Sequence, residues 1–155
     1  MKIELGCGAC PTEGYTHCDK YRHSPHVEMV FDLENIPWPF CEEMVEEILA
    51  TDVFEHLDMH VQRWLDECWR VLKPFGLLNM RLPSWNHPQG YGFRDPTHYR
   101  LFTEESFHYW CPKAPGTLWE NFGRYYFGEG YFRWWELVSV EREQHDIRFK
   151  MRKIG

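Results

Sequence analysis

Asp19 and Asp32, with Gly6 and Gly8 ahead of them, are the residues of this chain best suited to hold a nucleoside. A carboxylate accepts hydrogen bonds from paired ribose hydroxyls or from the exocyclic amine of a purine. A glycine lets the backbone approach a ligand with no Cβ in the way. Farther along, Asp95-Pro96-Thr97-His98 sets an imidazole beside a carboxylate, a pairing from which a general base can be made. In that pairing His98 takes the proton, and Asp95 orients it or binds substrate. A structural turn whose histidine bonds to backbone is an equal reading of the same four residues.

Cys7-Gly8-Ala9-Cys10, with Cys18, His17, His23 and His26 close by, raises metal and redox chemistry. Thiolate and imidazole are natural zinc ligands, but no second ordered C-x-x-C or H-x-x-x-H pair follows at short range. His56 and His60 stand four apart without a companion ligand or an H-E-x-x-H pattern. A thioredoxin-like motif should open a helix, whereas Pro11 follows Cys10 at once. The expectation is no metal, with thiols that only pack. Glu55-His56 is read as fixing the start of the helix that follows.

The elements that must position these groups are legible in the pattern. Lys2 to Leu5, Tyr15 to Asp19, Val27 to Phe31 and Glu46 to Ala50 read as short strands, and each runs into glycine or an acid. Val61, Leu65, Cys68 and Leu72 recur at helical spacing, with Lys73 in the last turn and Pro74 as the stop. Gly76 permits a turn into a strand from Leu77 to Leu82. Residues 84–125 are irregular and rich in Pro, Gly, His and aromatics, with Thr103 as N-cap of a short helix from Glu104 to Trp110. Arg133 to Glu141 and Asp146 to Ile154 read as a hairpin with Gln144-His145 near its tip. An α/β sheet follows, parallel for five strands and antiparallel at one edge. Ligands of such sheets sit at the carboxyl ends of the strands, where the acids named above fall.

With 155 residues the chain suits one domain, 1–155, with a real core. Its net charge of −7 and scattered basic residues disfavour duplex nucleic acid, and only Arg148, Lys150, Arg152 and Lys153 form a local basic run. No apolar run is long enough to span a bilayer, and Met1-Lys2-Ile3-Glu4 lacks the apolar core of a signal peptide. The expectation is a cytoplasmic protein without membrane contact, its six cysteines reduced. Aromatics reach 17%, including Trp110, Trp119, Trp134, Trp135 and Tyr125-Tyr126-Phe127. Core filling is favoured over an aromatic-walled acceptor pocket.

Three cofactors compete for the acid-and-glycine set. A P-loop requires Gly-Lys-Ser/Thr, which Gly8-Ala9-Cys10-Pro11 lacks. A dinucleotide site wants a third glycine where Pro11 stands. S-adenosylmethionine needs no pyrophosphate cradle, only groups for its amino acid, ribose and adenine parts. Glu4-Leu5-Gly6-Cys7-Gly8 resembles the first motif of class I S-adenosylmethionine-dependent methyltransferases. The likeness continues through Asp19, "FDLENIPWPF" (31–40), "ATDVFEHL" (50–57), "RVLKPFG" (70–76) and "RDPTHYRLFTEESF" (94–107). The set is similar to the small bacterial and phage members of that group.

The resemblance implies a Rossmann-like doubly wound sheet, mostly parallel, with a C-terminal antiparallel hairpin. The cofactor it implies is S-adenosylmethionine. Glu4, Gly6 and Gly8 then line the methionine end, Asp19 binds the ribose, Asp32 binds the adenine amine beside Leu33, and Thr51 to Phe54, Asp52 among them, form the floor by the sulfonium. The connection between the first two strands is shorter than a crossover helix allows, so the first helix should be reduced or missing. No helices precede the first strand, which leaves the acceptor side open; a second copy of the chain is one candidate cover. The implied activity is methyl transfer to a small-molecule or glycan-like acceptor, with residues 84–125 on the acceptor side. A non-catalytic or cofactor-cleaving protein on the same fold is the alternative.

Overall fold

The computed structural model describes residues 1–86, 90–112 and 131–155. Among these residues seven strands form one sheet: β1 (Lys2–Leu5), β2 (Thr16–Asp19), β3 (Met29–Val30), β4 (Val45–Thr51), β5 (Leu72–Pro83), β6 (Trp135–Glu143) and β7 (Asp146–Lys153). Their order across the sheet is β3-β2-β1-β4-β5-β7-β6. The first five run parallel, and β7 is antiparallel to both β5 and β6. The expected α/β class and the C-terminal hairpin are both present, with Glu143 opposite Asp146 at the hairpin tip.

Alternation along the strands sets the two faces. Ile3 pairs with Ile48, Ile48 with Leu78, and Leu78 with Met151, so one apolar row crosses four strands, and all four side chains are fully buried. Because side chains alternate with period two, the intervening residues fall on the other face. There Lys2, Tyr15 and Asn79 converge on the carboxylate of Glu47 at 2.7 Å each. This face is polar but partly buried, with Tyr15 packed over Glu47.

The apolar face is packed by α1 (Val61–Val71), whose Trp64, Leu65, Cys68 and Val71 are buried. An aromatic chain extends this packing: Trp38 lies on Trp64, Trp64 stacks on Phe54 at 5.0 Å, and Phe107 meets Phe149 edge-on at 4.7 Å. Trp110 and Trp135 are also core residues, as expected, whereas Trp119 and Tyr125-Tyr126-Phe127 lie outside the described residues.

Several local expectations are corrected. The helix ends at Val71, with Arg70 as the basic residue of its last turn, and β5 begins directly at Leu72. Phe75, not Gly76, takes the left-handed conformation, at φ +64°. Gly76 is needed for space, since a Cβ there would lie 2.9 Å from the Lys73 carbonyl oxygen. His60 caps α1 by accepting the Gln62 N–H, so Glu55-His56 does not fix the helix start. Thr103 does accept the Glu105 N–H, but turns and a 3-10 turn (His108–Trp110) follow in place of a helix. Among the described residues, α1 is the only α-helix longer than the single turn α2 (Tyr91–Arg94), so the crossovers after β1, β2 and β3 are all non-helical.

Candidate cofactor and acceptor site

The connection from Gly6 to Gly14 is held by side chains in place of a helix. Glu4, at the end of β1, accepts the Thr12 N–H at 2.8 Å and the Thr12 hydroxyl at 2.7 Å. His17 on β2 donates to the Thr12 carbonyl at 2.9 Å. Gly8 donates its N–H to Asp19 Oδ2 at 3.0 Å, and Lys20 donates its own to Asp19 Oδ1 at 2.7 Å. Gly6 (φ +62°) and Gly8 (φ +58°) take the left-handed conformation that glycine alone adopts freely. A Cβ at Gly6 would lie 2.6 Å from a Val53 methyl, whereas one at Gly8 would meet nothing within 4 Å. The chain just past β1 therefore packs tightly against the Val53 side chain just past β4, at the switch point of the sheet.

At that point a cavity of about 270 Å³ is lined by Gly6, Asp19, Asp32, Leu33, Asp52 and His56, with Lys20, Glu34, Val53 and Leu57 completing it. Five of the residues anticipated for a cofactor thus meet: Gly6, Asp19, Asp32, Leu33 and Asp52. Asp32 caps its own turn by accepting the Glu34 N–H, and Lys20 sits 2.9 Å from its other oxygen. The Lys20 ammonium, first of all, holds the Asp32 carboxyl below its ordinary range. Asp52, at φ +53°, forms an ion pair with Arg81.

Three anticipated residues fall elsewhere. Glu4 and Gly8 do not line the cavity; they brace the loop that borders it. Thr51 points to the polar face, where it lines a separate cavity with Arg81, Arg148 and Lys150. Alternation along β4 accounts for this, because Ala50 takes the core side.

His98 and Asp95 follow β5, beyond Trp85. Asp95 Oδ1 accepts the N–H of Thr97 at 2.8 Å and its hydroxyl at 2.6 Å, which closes a turn. His98 Nδ1 donates to the Gly92 carbonyl at 3.1 Å, and its Nε2 stands 3.9 Å from Asp95 Oδ2. The stretch is thus a turn with a backbone-bonded histidine, and the Nε2 of that histidine takes no part in the bond to Gly92. Arg100, also anticipated on the acceptor side, instead donates to the carbonyls of Phe54 and Met59.

The sequence reading missed Glu55 and His56 at this site. They lie in the 3-10 turn Phe54–His56, and the His56 ring meets His98 edge to face at 4.7 Å. Glu55 is 1% exposed, and burial pushes its carboxyl up to about 8. The available signal was an acid and a histidine directly after a strand that ends at the switch point.

The thiols carry no such arrangement. Cys7, Cys18, Cys68 and Cys111 are buried and free, and burial raises all four, Cys18 and Cys111 to about 12. No helix among the described residues is long and apolar enough to cross a membrane.

Residues 7–80 match the model of the methyltransferase domain family. No curated protein matches the chain. An S-adenosylmethionine-dependent methyltransferase from Aquifex aeolicus has a similar structure, with a TM-score of 0.55 at 14% identity over 99% of this chain and 81% of that one. The PH0226 protein of Pyrococcus horikoshii gives a TM-score of 0.59 at 12% identity over 98% and 81%. A phosphoethanolamine N-methyltransferase of Haemonchus contortus, solved with phosphoethanolamine and S-adenosylhomocysteine, gives 0.69 at 10% identity over 99% and 39%. The chain spans only 39% to 54% of the length of several structures it resembles.

The cofactor of this family is S-adenosylmethionine, and the cavity suits its chemistry. Asp19, Asp32, Glu34 and Asp52 offer acceptors to a ligand that carries hydroxyls, amines and a positively charged sulfur, while Leu33 offers an apolar wall. Residues 7–80, just under half of the chain, are thus similar to the methyltransferase domain family, and the sheet has the class I fold seen in solved S-adenosylmethionine-dependent methyltransferases.

Proposed function

We propose that the protein moves a methyl group from S-adenosylmethionine to a small polar or glycan-like acceptor on the side of the Asp95–Arg100 loop. The observation that carries this reading is the gathering of Asp19, Asp32 and Leu33 around one cavity whose lining residue His56 packs against His98. S-adenosylmethionine supplies a methyl group bonded to a positively charged sulfur. Asp19 accepts from the ribose hydroxyls while its bonds to Gly8 and Lys20 hold it still. Asp32 accepts from the adenine amine, and Leu33 packs beside the ring. Gly6 and the Asp52-Val53 backbone border the methionine end.

Methyl transfer is in-line, so orientation of the acceptor supplies much of the rate. His98 accepts the proton of a hydroxyl or ammonium acceptor at Nε2, because its Nδ1–H is committed to the Gly92 carbonyl. Asp95 steadies that ring from 3.9 Å. The Haemonchus contortus structure with phosphoethanolamine supports a small polar acceptor.

Calorimetry with S-adenosylmethionine and S-adenosylhomocysteine tests the reading, followed by release of S-adenosylhomocysteine in the presence of candidate acceptors. Wild-type protein should bind both, and Asp19→Ala should bind neither. No binding by wild type, or equal binding by Asp19→Ala, overturns the cofactor site. Binding with breakdown of the cofactor in the absence of any acceptor overturns methyl transfer in favour of cleavage.

A further inference from the structure

The 3-10 turn after β4 and the loop after β5 are clamped together. Tyr99 donates its N–H to the Glu55 carbonyl at 2.8 Å, and the Arg100 guanidinium reaches the Phe54 and Met59 carbonyls at 3.3 and 2.6 Å. The clamp brings Glu55, His56 and His98 together so that one donor atom from each lies within 4.8 Å of the others. No thiol takes part.

The hydrogen bonds around the two rings set which nitrogen is open. His98 Nδ1 faces a carbonyl, which only accepts, so Nδ1 carries the proton and Nε2 the lone pair. His56 Nδ1 lies 2.9 Å from Thr97 Oγ1, whose own proton goes to Asp95 Oδ1. Thr97 therefore accepts from His56 Nδ1–H, and Nε2 of His56 is again the open nitrogen. Asp95, Thr97 and the Gly92 carbonyl thus do for these imidazoles what outer partners do for metal-binding histidines.

Glu55 provides an independent observation. It is 1% exposed, yet its Oε2 has no hydrogen-bond partner. A buried carboxylate oxygen normally has a partner, and one left without costs stability.

We propose that Glu55, His56 and His98 bind a divalent transition-metal ion, with the remaining coordination positions open toward the cavity lined by His56. Two imidazoles and one carboxylate favour zinc, cobalt, manganese or ferrous iron over magnesium or calcium, which prefer all-oxygen shells. Ligand bonds of about 2.1 Å require the donors to close to roughly 3.4 Å of one another, a side-chain adjustment only. The cation gives Glu55 Oε2 its missing partner. The open positions would take an oxygen or nitrogen of the acceptor, which narrows the acceptor class to molecules with a metal-binding group, such as vicinal hydroxyls or a carboxylate. This last step rests on the methyl-transfer reading; metal binding itself does not. If an ion were bound, the His98 lone pair would be used in coordination and the ion would acidify a bound acceptor hydroxyl, so His98 would accept that proton itself only in metal-free protein.

The test uses full-length protein stripped with a chelator and titrated with cobalt(II), read by visible d–d absorption, and with zinc(II), read by calorimetry. One equivalent should bind. His56→Ala, His98→Ala and Glu55→Gln should each weaken binding by roughly tenfold or more, and Thr97→Val by a smaller factor. A Cys7→Ser, Cys10→Ser double variant should bind as wild type does. Circular dichroism identifies a variant that does not fold, and His56→Ala, at a half-buried position, decides the matter if Glu55→Gln fails. Absence of a cobalt band, or binding that survives His56→Ala and His98→Ala, overturns the proposal. S-adenosylhomocysteine binding to the same stripped protein separates a failed metal site from a failed cofactor site.

Discussion

Glu4 and Thr12 are joined twice, through the Thr12 N–H and its hydroxyl, across the non-helical loop that connects β1 to β2. The carboxylate that opens the E-x-G-x-G motif here braces the Gly6–Gly14 connection from 5% exposure and does not line the cavity. Hydrogen bonds to a buried charged group contribute about 1.5–3 kcal/mol each. Glu4→Ala should therefore lower thermal stability clearly and weaken S-adenosylhomocysteine binding. Thr12→Val, which removes only the hydroxyl, should do so to a smaller extent. Equal cofactor affinity in Glu4→Ala and wild type, by calorimetry, would show that the loop needs no brace.

His98→Ala should reduce turnover by about 10²- to 10⁴-fold, the usual contribution of a general base. Its affinity for S-adenosylhomocysteine should stay close to that of wild type, because His98 does not line the cavity of Asp19, Asp32 and Leu33 proposed for the cofactor. Equal losses of both would make His98 a structural residue.

Gly6 and Gly8 share a left-handed backbone but differ in surroundings. Gly6→Ala adds a clash with Val53 at 2.6 Å to the conformational cost of about 1–2 kcal/mol, whereas Gly8→Ala incurs the conformational cost alone. Urea unfolding should rank Gly6→Ala well below Gly8→Ala. The reverse ranking would contradict the close approach of β1 to Val53.

Glu67 anchors the Ile36–Phe40 loop to α1. Its Oε1 accepts the buried Trp38 N–H at 2.7 Å and pairs with Arg70 at 2.6 Å. Glu67→Ala leaves the buried Trp38 N–H without its acceptor and takes the carboxylate from Arg70, whose guanidinium keeps only the Phe40 and Trp38 carbonyls, and should cost about 3 kcal/mol of stability. A change below about 0.5 kcal/mol, the range of an ordinary surface substitution, would mean the pair is not structural.

Cys10 and Cys41 are exposed, whereas the other four thiols are buried. Thiol reagent added to native protein should modify those two quickly and the remaining four only after denaturation. Rapid reaction at Cys7 would show that the Gly6–Gly14 loop opens in solution.

Much of the sheet was legible because strand signals are local. Lys2–Leu5 and Asp146 onward read directly from apolar alternation, and the acids Asp19 and Asp32 followed from their places at strand ends. The helix was found from its period, but its end was placed at Lys73, two residues too far, because Leu72 keeps the apolar spacing while its backbone already turns into β5.

By itself the sequence determined the strand set, the ligand end of the sheet and the acids that stand at the strand ends, since each depends on residue types within a few positions of one another. Only the tertiary structure decided that Thr51 faces away from the cavity, that Glu4 braces a loop, and that Glu55 and His56 meet His98. Those outcomes depend on which face of the sheet α1 covers and on the clamp that Tyr99 and Arg100 make across the chain. Contacts between distant irregular segments leave no period in the sequence, because they are set by hydrogen bonds that form only once the sheet has brought the two loops together.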